Sequence, residues 1–533
     1  MPLAAAPTIT SVENAASNNS PGLPNAGIAQ GAIFIVYGSG LGPANLATAA
    51  SAFQSTTLSN TSVAVTVGGT TVNALMYYTS ASQVAALLPS DTPTGTGTVT
   101  VTYNNQTSAT APITVVANNL GIFTVGSSGQ GPGIVTYSDY SLVSPVKAAN
   151  CGGPNTTCGA ANPGDTLILW ATGLGPVTGS DASGAGLGVN MPDIPLKVFL
   201  GGVQAQVSYQ GRSGCCIGED QIVFTVPDNV PTGCAVPLLV QIGNEISNNT
   251  VMPVADGSRS CTTVIPEYAQ VEQAVLSGAA VTSGAIKLAH FSDGGGTFED
   301  DGKFQFQNIL GVYPGTAPFL VEWVDIAPLG TCLVYGSLNA SWNEPVTGVS
   351  QADAGSSFTV QGPNGSVMLQ PGSLSEFNSQ GSFLVPGAYT ATGTGGTEIG
   401  PFTANITLPP AMTLVTPVNN ATVTRSNGLT VTWTGGIANE YLQIEVNSPA
   451  DASNQNGASA ICTVAGNVGT LTIPAYVLLA LPATPSGTSA GLVLSSVILS
   501  PFTATGMTIG AIQTYTNEAG FGYGWGSGGL TLK

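Results

Sequence analysis

The residues of this chain that could do chemistry are few and scattered. One acidic stretch, residues 292–304, places Asp293, Glu299, Asp300 and Asp301 around a glycine-rich turn. Carboxylate oxygens on a flexible loop are the ligands that calcium prefers, so these four residues are the candidate metal site. The ligand alternation of an EF-hand is absent, and the alternative interpretation is a solvated acidic turn between two strands. No other cofactor is expected.

A second stretch matches the pattern of a hydrolase nucleophile. "GTSAG" at 487–491 fits G-x-S-x-G, in which a strained turn between a strand and a helix exposes the serine. Here proline-rich sequence precedes the motif and a strand-like run follows it. The single histidine, His290, lies upstream, whereas hydrolases with this motif place their histidine last. We therefore expect a turn at 487–491 and assign no role to His290.

A third group combines carboxylates with tryptophans. Glu322, Asp325 and Glu344 lie near Trp323 and Trp342, the residue types of a glycosidase with a sugar-stacking platform. Spacing alone does not bring two carboxylates across a cleft, and a tryptophan on an alternating strand is more typical of a core. No catalytic constellation emerges, so the sequence predicts a protein that is not an enzyme.

The last aromatic residues alternate with glycine. In "GFGYGWGSGGLTLK" (520–533), Phe521, Tyr523 and Trp525 would share one face of a strand. They are predicted either to close the last module or to present a contact surface to a sugar or to a neighbouring subunit.

Composition excludes several classes of partner. The 533 residues include only 7% charged residues, with 8 Lys+Arg against 27 Asp+Glu and a net charge of −19. Binding to nucleic acid needs clustered cations, which this chain lacks. No apolar run approaches the length of a membrane helix, so membrane insertion is not expected. The start, "MPLAAAPTITSV", has no basic or long apolar segment, and we expect that a secretory signal has been removed.

The cysteines indicate disulfides. The even number and the absence of C-x-x-C pairs favour an oxidising, extracellular compartment over a zinc site. Cys151 and Cys158 bracket a turn-rich segment and could close a short loop, whereas sequence alone leaves the other pairings open. The eight candidates are Cys151, Cys158, Cys215, Cys216, Cys234, Cys261, Cys332 and Cys462.

An internal repeat organises the first half. "QGAIFIVYGSGLGP" (30–43) corresponds to "PGDTLILWATGLGP" (163–176), displaced by 133 residues, and Gly68-Gly69 corresponds to Gly201-Gly202 at the same displacement. After the additional "SGCCI", "SQVAALLP" (82–89) corresponds to "DQIVFTVP" (220–227). Such matched blocks indicate a duplicated module of about the size of an immunoglobulin domain.

Each block of the repeat reads as strands and turns. The apolar runs have strand length, Gly-Leu-Gly-Pro ends strand pairing, and Gly-Gly between strands predicts a tight hairpin. The fold class is therefore all-β, with tandem immunoglobulin-like β-sandwiches.

At these residues the chain resembles the Solibacter-type C-terminal domain, a TIG/IPT-like immunoglobulin fold of large secreted proteins of acidobacteria. The resemblance covers about residues 7–256, and the cysteines of that family correspond to Cys215, Cys216, Cys234 and Cys261. It implies a fold and secretion. It implies no activity, because none is assigned to the family.

The second half is less specific. "LTVTWTGG … YLQIEV" resembles a fibronectin-III or immunoglobulin-like sandwich with Trp433 in its core. In sequences that accompany the family, segments like "GTCLVYGS" and "AICTVAG" recur, which implies a Cys332–Cys462 bridge between two C-terminal modules. The expected domains are 1–117, 118–256, 257–408 and 409–533.

These observations favour an extracellular structural or adhesive protein that self-assembles through strand edges or binds other surface components. The alternatives are a secreted carbohydrate-binding protein, whose partner would be a polysaccharide, and, less favoured, a secreted hydrolase.

Overall fold

The computed structural model describes residues 6–145, 158–184, 186–262, 280–292, 298–309, 327–336, 349–369, 383–453, 456–521 and 528–533. Within these ranges the chain is almost entirely β-structure, which confirms the predicted fold class. The described helices are short, and none is long and apolar enough to cross a membrane. One is the α-helix α1, Ala475–Leu479, and three are 3₁₀ turns, Asp181–Ser183, Arg425–Asn427 and Gly466–Val468.

The first module is a two-sheet sandwich. One sheet has the strand order β1-β3-β8-β7-β4 and the other β2-β11-β9-β5-β6, with β10 paired to β9. Val63, Val65, Val99 and Val101 are fully buried between the sheets. The strands are β1 Thr8–Asn14, β2 Ile28–Ala29, β3 Ile33–Ser39, β4 Ala47–Thr48, β5 Thr61–Val67, β6 Thr70–Asn73, β7 Leu75–Thr79, β8 Gln83–Leu87, β9 Gly95–Tyr103, β10 Gln106–Thr107 and β11 Ala111–Val116.

The second module has a continuous strand where the first has two. Strand β16 pairs with β15 through its first residues and with β17 through its last, so it joins both halves into one nine-stranded sheet. The strands are β12 Gly121–Ile122, β13 Val135–Thr136, β14 Thr166–Thr172, β15 Leu196–Leu200, β16 Val203–Arg212, β17 Asp220–Thr225, β18 Gly233–Ile242, β19 Glu245–Ile246 and β20 Thr250–Val254.

The two modules share their strand pairings, as a duplication requires. Strand β3 pairs with β8 as β14 pairs with β17, and β5 pairs with β6 and β9 as β15 pairs with β16 and β18. Both Gly-Gly pairs form the predicted hairpins. Gly68 and Gly69 have φ of 57° and 84°, and Gly201 and Gly202 have φ of 55° and 84°, the left-handed values of a primed turn.

The remaining strands form four sheets. The largest has eight strands in the order β23-β33-β32-β35-β36-β21-β22-β24, and the smaller ones are β26-β25-β27-β28, β29-β31-β34 and β30-β37. The strands are β21 Val281–Ser292, β22 Phe298–Ile309, β23 Thr331–Tyr335, β24 Val349–Gln351, β25 Phe358–Gly362, β26 Gly365–Leu369, β27 Gly387–Gly393, β28 Phe402–Leu408, β29 Thr413–Thr416, β30 Thr422–Val423, β31 Leu429–Thr434, β32 Tyr441–Pro449, β33 Gly457–Ala465, β34 Thr470–Ile473, β35 Gly491–Phe502, β36 Ile509–Phe521 and β37 Thr531–Leu532.

The eight-stranded sheet crosses the domain boundary that the sequence predicts at 408/409. Strand β21 pairs in parallel with β36, which follows it by more than 200 residues, so strands from both sides of the boundary belong to one sheet. Two hydrophobic cores share this sheet. One packs under β25–β28, and the other contains Trp433, which is 3% exposed, as expected of a core aromatic. The expected domain division remains a prediction, but these two halves are not separate in their hydrogen bonding.

Candidate functional site

The first two modules meet at Arg212, which belongs to a buried ion pair of the second module that the sequence did not reveal. Arg212 at the end of β16 contacts Asp220 at the start of β17, and the two are 3% and 0% exposed. The Arg212 guanidinium also donates to the carbonyl oxygens of Gly31 (3.1 Å) and Gly175 (2.6 Å). Gly31 belongs to the first module, so Arg212 connects one copy of the repeated glycine motif to the other.

The carboxylate of Asp220 is held from several sides. Its second oxygen accepts a hydrogen bond from the N–H of Leu174 at 2.7 Å. Burial raises the pKa of Asp220, and the Arg212 guanidinium and the Leu174 N–H oppose that rise. Because both charges are removed from water, the pair holds a specific geometry, and loss of one partner would leave the other uncompensated.

Further contacts extend this joint along the module boundary. Asp181 accepts the backbone N–H and the hydroxyl of Ser90 at 2.7 and 2.9 Å, and the N–H of Ile33 donates to the Thr172 hydroxyl at 2.9 Å. An apolar cluster lies beside them and draws from both modules. Its members include Ile33, Phe53, Leu75 and Leu87 of the first module and Phe123, Ala182 and Ile217 of the second.

This cluster covers only part of the outer face of the β1-β3-β8-β7-β4 sheet. Further along the same face, Glu13, Ile35, Ala85 and Tyr78 lie in register across four strands. The next row places Tyr37 between Ser11 on β1 and Gln83 on β8. Ile35 and Ala85 are themselves buried, so this half of the face presents its partly exposed tyrosines and the polar residues beside them to solvent.

The tyrosines of this face are close to one another. The rings of Tyr77 and Tyr78 have centroids 5.6 Å apart, and Tyr77 is 39% exposed. The Tyr37 hydroxyl donates to Asn18 Oδ1 at 3.1 Å. The pKa of Tyr37 is raised mainly by burial and secondly by the negative charge of Glu13. The pKa of Tyr78 is raised mainly by burial and secondly by the neighbouring Tyr37 and Tyr77. We call Tyr37, Tyr77 and Tyr78 the tyrosine patch.

A loop of the first module reaches the far end of the chain. Leu23, in the segment 18–27, is 7% exposed and packs in the same core as Trp433. Nearby, Asn456 Nδ2 donates to the Pro21 carbonyl oxygen at 2.8 Å. The first module and the C-terminal sheet are therefore in direct contact, and the chain is not a linear row of modules.

A cavity of about 380 Å³ opens beside this loop. Its lining is mainly apolar and comes from the loop, from β1, from β11 and the residues after it, and from the start of β19. Glu245 is the charged residue of the lining, and partial burial raises its pKa, while Arg425 acts in the opposite direction. No aromatic side chain contributes to the described lining.

The second module also packs against the C-terminal sheet. Phe199 stacks on Tyr476 of α1 with ring centroids 4.3 Å apart. The edge strand β23 is wholly buried, and its Leu333 and Tyr335 contact Ala235 and Val251 of the second module. The exposed edge that β23 would present is thus covered by another part of the chain.

Disulfides reinforce these elements. Cys332 on β23 and Cys462 on β33 face each other and are bonded, which is the pair that the family resemblance implied. Cys234 is bonded to Cys261, and the neighbours Cys215 and Cys216 are bonded to each other. Cys158 is also disulfide-bonded, whereas Cys151 lies outside the described residues. No cysteine in the described part of the chain is free.

The candidate calcium ligands are not gathered by the strand that carries three of them. Glu299, Asp300 and Asp301 are successive residues of β22, so Asp300 points into the fold while its two neighbours point to the opposite face. Asp300 is fully buried and accepts the backbone N–H groups of Phe383 (2.6 Å) and Leu384 (2.8 Å). Asp293 lies outside the described residues, within which no three metal-ligating side chains converge.

His290 contacts Asp300 across the sheet. The two residues face each other in register, and His290 Nδ1 lies 2.5 Å from Asp300 Oδ1. Their strands, β21 and β22, are neighbours in the eight-stranded sheet, and β22 is next to the edge strand β24. A carboxylate that orients a histidine is one half of a catalytic arrangement, but it is also a common way to satisfy a buried acid. Sequence spacing gave no sign of this pair, because the two residues meet through strand register.

The remaining candidate site residues either make structural contacts or lie outside the described residues. Ser489 of "GTSAG" donates to the Gly528 carbonyl oxygen at 2.7 Å, and the strand β35, not a helix, follows it. Phe521 packs against the core that contains Trp433. Tyr523 and Trp525 lie outside the described residues, as do Glu322, Trp323, Asp325, Trp342 and Glu344.

Comparison with known proteins adds no family. No protein-family model matches the chain, and no curated protein matches it. Among solved structures, domains 5–6 of the S-layer protein SbsC are 14% identical with a TM-score of 0.16, covering 47% of this chain and 99% of that one. SGBP-B from a complex xyloglucan utilization locus in Bacteroides uniformis is 12% identical with a TM-score of 0.17, covering 72% and 88%. The I9–I11 tandem of titin is 9% identical with a TM-score of 0.13, covering 71% and 93%. Scores this low carry no argument about function.

Proposed function

We propose that this chain is a non-catalytic extracellular protein with a structural or adhesive role, and that its modules act as one rigid block. The observation that carries the proposal is the contact of the segment 18–27 with the C-terminal core through Leu23. Together with the Arg212–Asp220 joint, this contact restrains the first module at two places. Modules joined by small polar interfaces usually move relative to one another, whereas these interfaces contain buried charge and apolar side chains.

The disulfides support an extracellular location. Bonds such as Cys332–Cys462 and Cys234–Cys261 persist in oxidising compartments and are rare in the cytosol of mesophiles. A block that is crosslinked between its strands suits a protein that resists stress outside the cell.

Uncharged strand edges supply a route to self-assembly. β29 ends the three-stranded sheet β29-β31-β34 and contains threonines, Leu414 and the half-exposed Val415. Natural edge strands are usually guarded by charge, by proline or by a covering element. β29 contains no charged residue and no proline, and its protection is limited to Pro417 directly after it and a register shift at Val415. We infer that copies of the block associate through such edges.

Small-angle scattering on the purified chain, with electron microscopy over a range of concentrations, tests this function. We expect one compact particle at low concentration and ordered assemblies at high concentration. A broad distribution of distances between modules would contradict the rigid block. Turnover of ester, peptide or glycoside reporter substrates that disappears in His290→Ala would overturn the non-catalytic role.

A further inference from the structure

We propose that the tyrosine patch on the first module is a binding surface for a neutral polysaccharide. The inference supplies a ligand for the adhesive part of the proposed function and rests on that function for its extracellular setting. The first observation is that the second module covers only part of the outer face of the β1-β3-β8-β7-β4 sheet. The row Ile33–Leu87–Leu75 is buried in the cluster shared with the second module. In the rows beyond it Ile35 and Ala85 are also buried, whereas Tyr37 and Tyr78 are partly exposed and Tyr77 beside them is 39% exposed.

The patch offers aromatic surface at a spacing that suits a polymer. β3 and β7 are separated by β8, and Tyr37 lies two residues along the strands from the row of Tyr78. The backbones of Tyr37 and Tyr78 are therefore about 12 Å apart, given ~4.8 Å between neighbouring strands and ~3.4 Å per residue along them. The residue between Ile35 and Tyr78 in their row is the small Ala85, which is 2% exposed, so the tyrosine rings and not the strand between them form the surface. Tyr77 extends the surface beside Tyr78 and contacts Phe53, with ring centroids 5.2 Å apart. Rings at such a spacing can contact successive units of one extended chain.

Polar side chains border these rings. Glu13 and Gln83 belong to the same two rows, Asn18 accepts the Tyr37 hydroxyl, and Thr48 faces Tyr78 from β4. A sugar presents apolar C–H faces and a rim of hydroxyls, so it needs both aromatic surface and hydrogen-bonding groups at its edge. A purely apolar partner would leave Glu13 and Gln83 without water or a hydrogen-bonding partner, at a cost in free energy.

Charge decides the kind of polysaccharide. Glu13 is the one charged residue in the two rows, and no lysine or arginine belongs to them. The whole chain carries a net charge of −19. An acidic polymer would be repelled by both, so the surface fits an uncharged one.

The surface is also largely pre-formed. Tyr37 and Tyr78 lie on strands paired on both sides, and the Tyr37 hydroxyl is fixed by Asn18. Tyrosine adds contact area at a low cost in conformational entropy, and a rigid backbone lowers that cost further. The sequence did not reveal this patch, because Tyr37 and the Tyr77-Tyr78 pair are about 40 residues apart and meet only through strand order.

Affinity electrophoresis of the full chain tests the proposal. Native gels would contain a β-glucan, a xylan, a mannan or a galactan, with polygalacturonate as the acidic polymer. We expect at least one neutral polymer to retard the wild type and polygalacturonate to leave it unretarded. In Tyr37→Ala/Tyr78→Ala the apparent affinity should fall about tenfold or more. Tyr37→Phe, which keeps the ring, should retain most of the binding.

Tyr140→Ala is the matched control, because Tyr140 is 66% exposed but lies on the second module. It should bind like the wild type, and thermal melting of each variant shows whether it is folded. The proposal is overturned if no neutral polymer retards the wild type, if polygalacturonate alone does, or if a folded double alanine variant binds unchanged. Tyrosine-dependent dimers in sedimentation, without sugar binding, would instead assign the patch to a second copy of the chain. Neither result changes the scattering test of the rigid block, so the two proposals fail separately.

Discussion

At the scale of single residues, the repeated glycines are not equivalent. Gly31 and Gly164 occupy corresponding positions of the duplication, and both have positive φ, 72° and 85°. A Cβ on Gly31 would lie 2.2 Å from Arg212 Nη2, whereas a Cβ on Gly164 would meet nothing within 4 Å. Glycine at position 164 is therefore needed only for its left-handed backbone conformation. Glycine at position 31 is needed also because a side chain there would collide with Arg212 at the boundary between the modules.

This difference gives a matched pair of variants. Gly164→Ala should cost only the strain of a left-handed alanine, about 1–2 kcal/mol. Gly31→Ala adds displacement of the Arg212 guanidinium from its contact with Asp220, so its urea unfolding midpoint should fall further. Equal midpoints for the two variants would show that Arg212 moves aside without loss, and that the ion pair is not needed at the joint.

At the scale of elements, the proposed association depends on the exposed edge β29. Val415 is 49% exposed on an edge strand without charge. Val415→Lys places a cation where a second strand would pair, and such charges block edge-to-edge association. We expect the variant to remain a single particle at concentrations at which the wild type assembles, with an unchanged melting temperature.

Leu46→Lys is the control for this experiment. Leu46 is 62% exposed and lies beside β4 of the first module, whereas β29 belongs to another sheet, so the same change of charge should leave assembly intact. If both variants assemble like the wild type, another edge, such as β26 with its exposed Met368, is the contact. If both fail to assemble, net charge and not strand pairing controls association.

Local pattern was enough to predict many of these elements. The apolar runs at 33–39 and 166–172 are strands, and the Gly-Gly pairs form hairpins, because strand length and left-handed φ are properties of a few adjacent residues. The parallel pairing of β21 with β36 was missed, since nothing local to 281–292 refers to a strand more than 200 residues away. The same reason hid Arg212, Asp220 and the His290–Asp300 contact.

At the scale of the whole molecule, Leu23 holds the first module against the C-terminal core. Leu23→Asp would place an unpaired charge among apolar side chains, which is strongly unfavourable, so the loop should leave its site. We expect a larger radius of gyration by small-angle scattering, with little change in circular dichroism because the sheets remain formed. Leu46→Asp, at an exposed position, should keep the wild-type radius. An unchanged radius for Leu23→Asp would mean that the remaining contacts hold the block closed.

Buried carboxyls predict how stability depends on pH. Burial raises the pKa of Glu219, Glu245 and Glu445. A carboxyl whose folded pKa lies above its unfolded value of about 4.3 binds protons more tightly in the folded state, so its contribution to stability is lost as pH rises through the folded pKa. Repulsion among the excess negative charges, −19 in total, also lowers the stability of the folded state as pH rises. The urea midpoint should therefore increase from about pH 8 to about pH 5.

Glu445→Gln checks the origin of this dependence, because it removes one of the titrating groups and should flatten the profile. Asp353 acts oppositely: hydrogen bonds from Thr397 and Gly355 lower its pKa, so its contribution is lost only under more acidic conditions. A midpoint that falls between neutral pH and about pH 5 would contradict the expected dependence.

The contact between Pro21 and Asn456 spans 435 positions of the chain. Translation releases the first module long before the ribosome has made its distant counterpart, and leading domains generally fold as they emerge. The hydrophobic tip of the 18–27 loop therefore remains exposed to solvent until the C-terminal core has been synthesised. Contacts between residues so far apart in sequence also form slowly, because closing a long loop costs conformational entropy. Final docking is thus a post-translational step, and a nascent chain halted before residue 456 is expected to be far more susceptible to proteases and chaperones near its N-terminus than the finished protein.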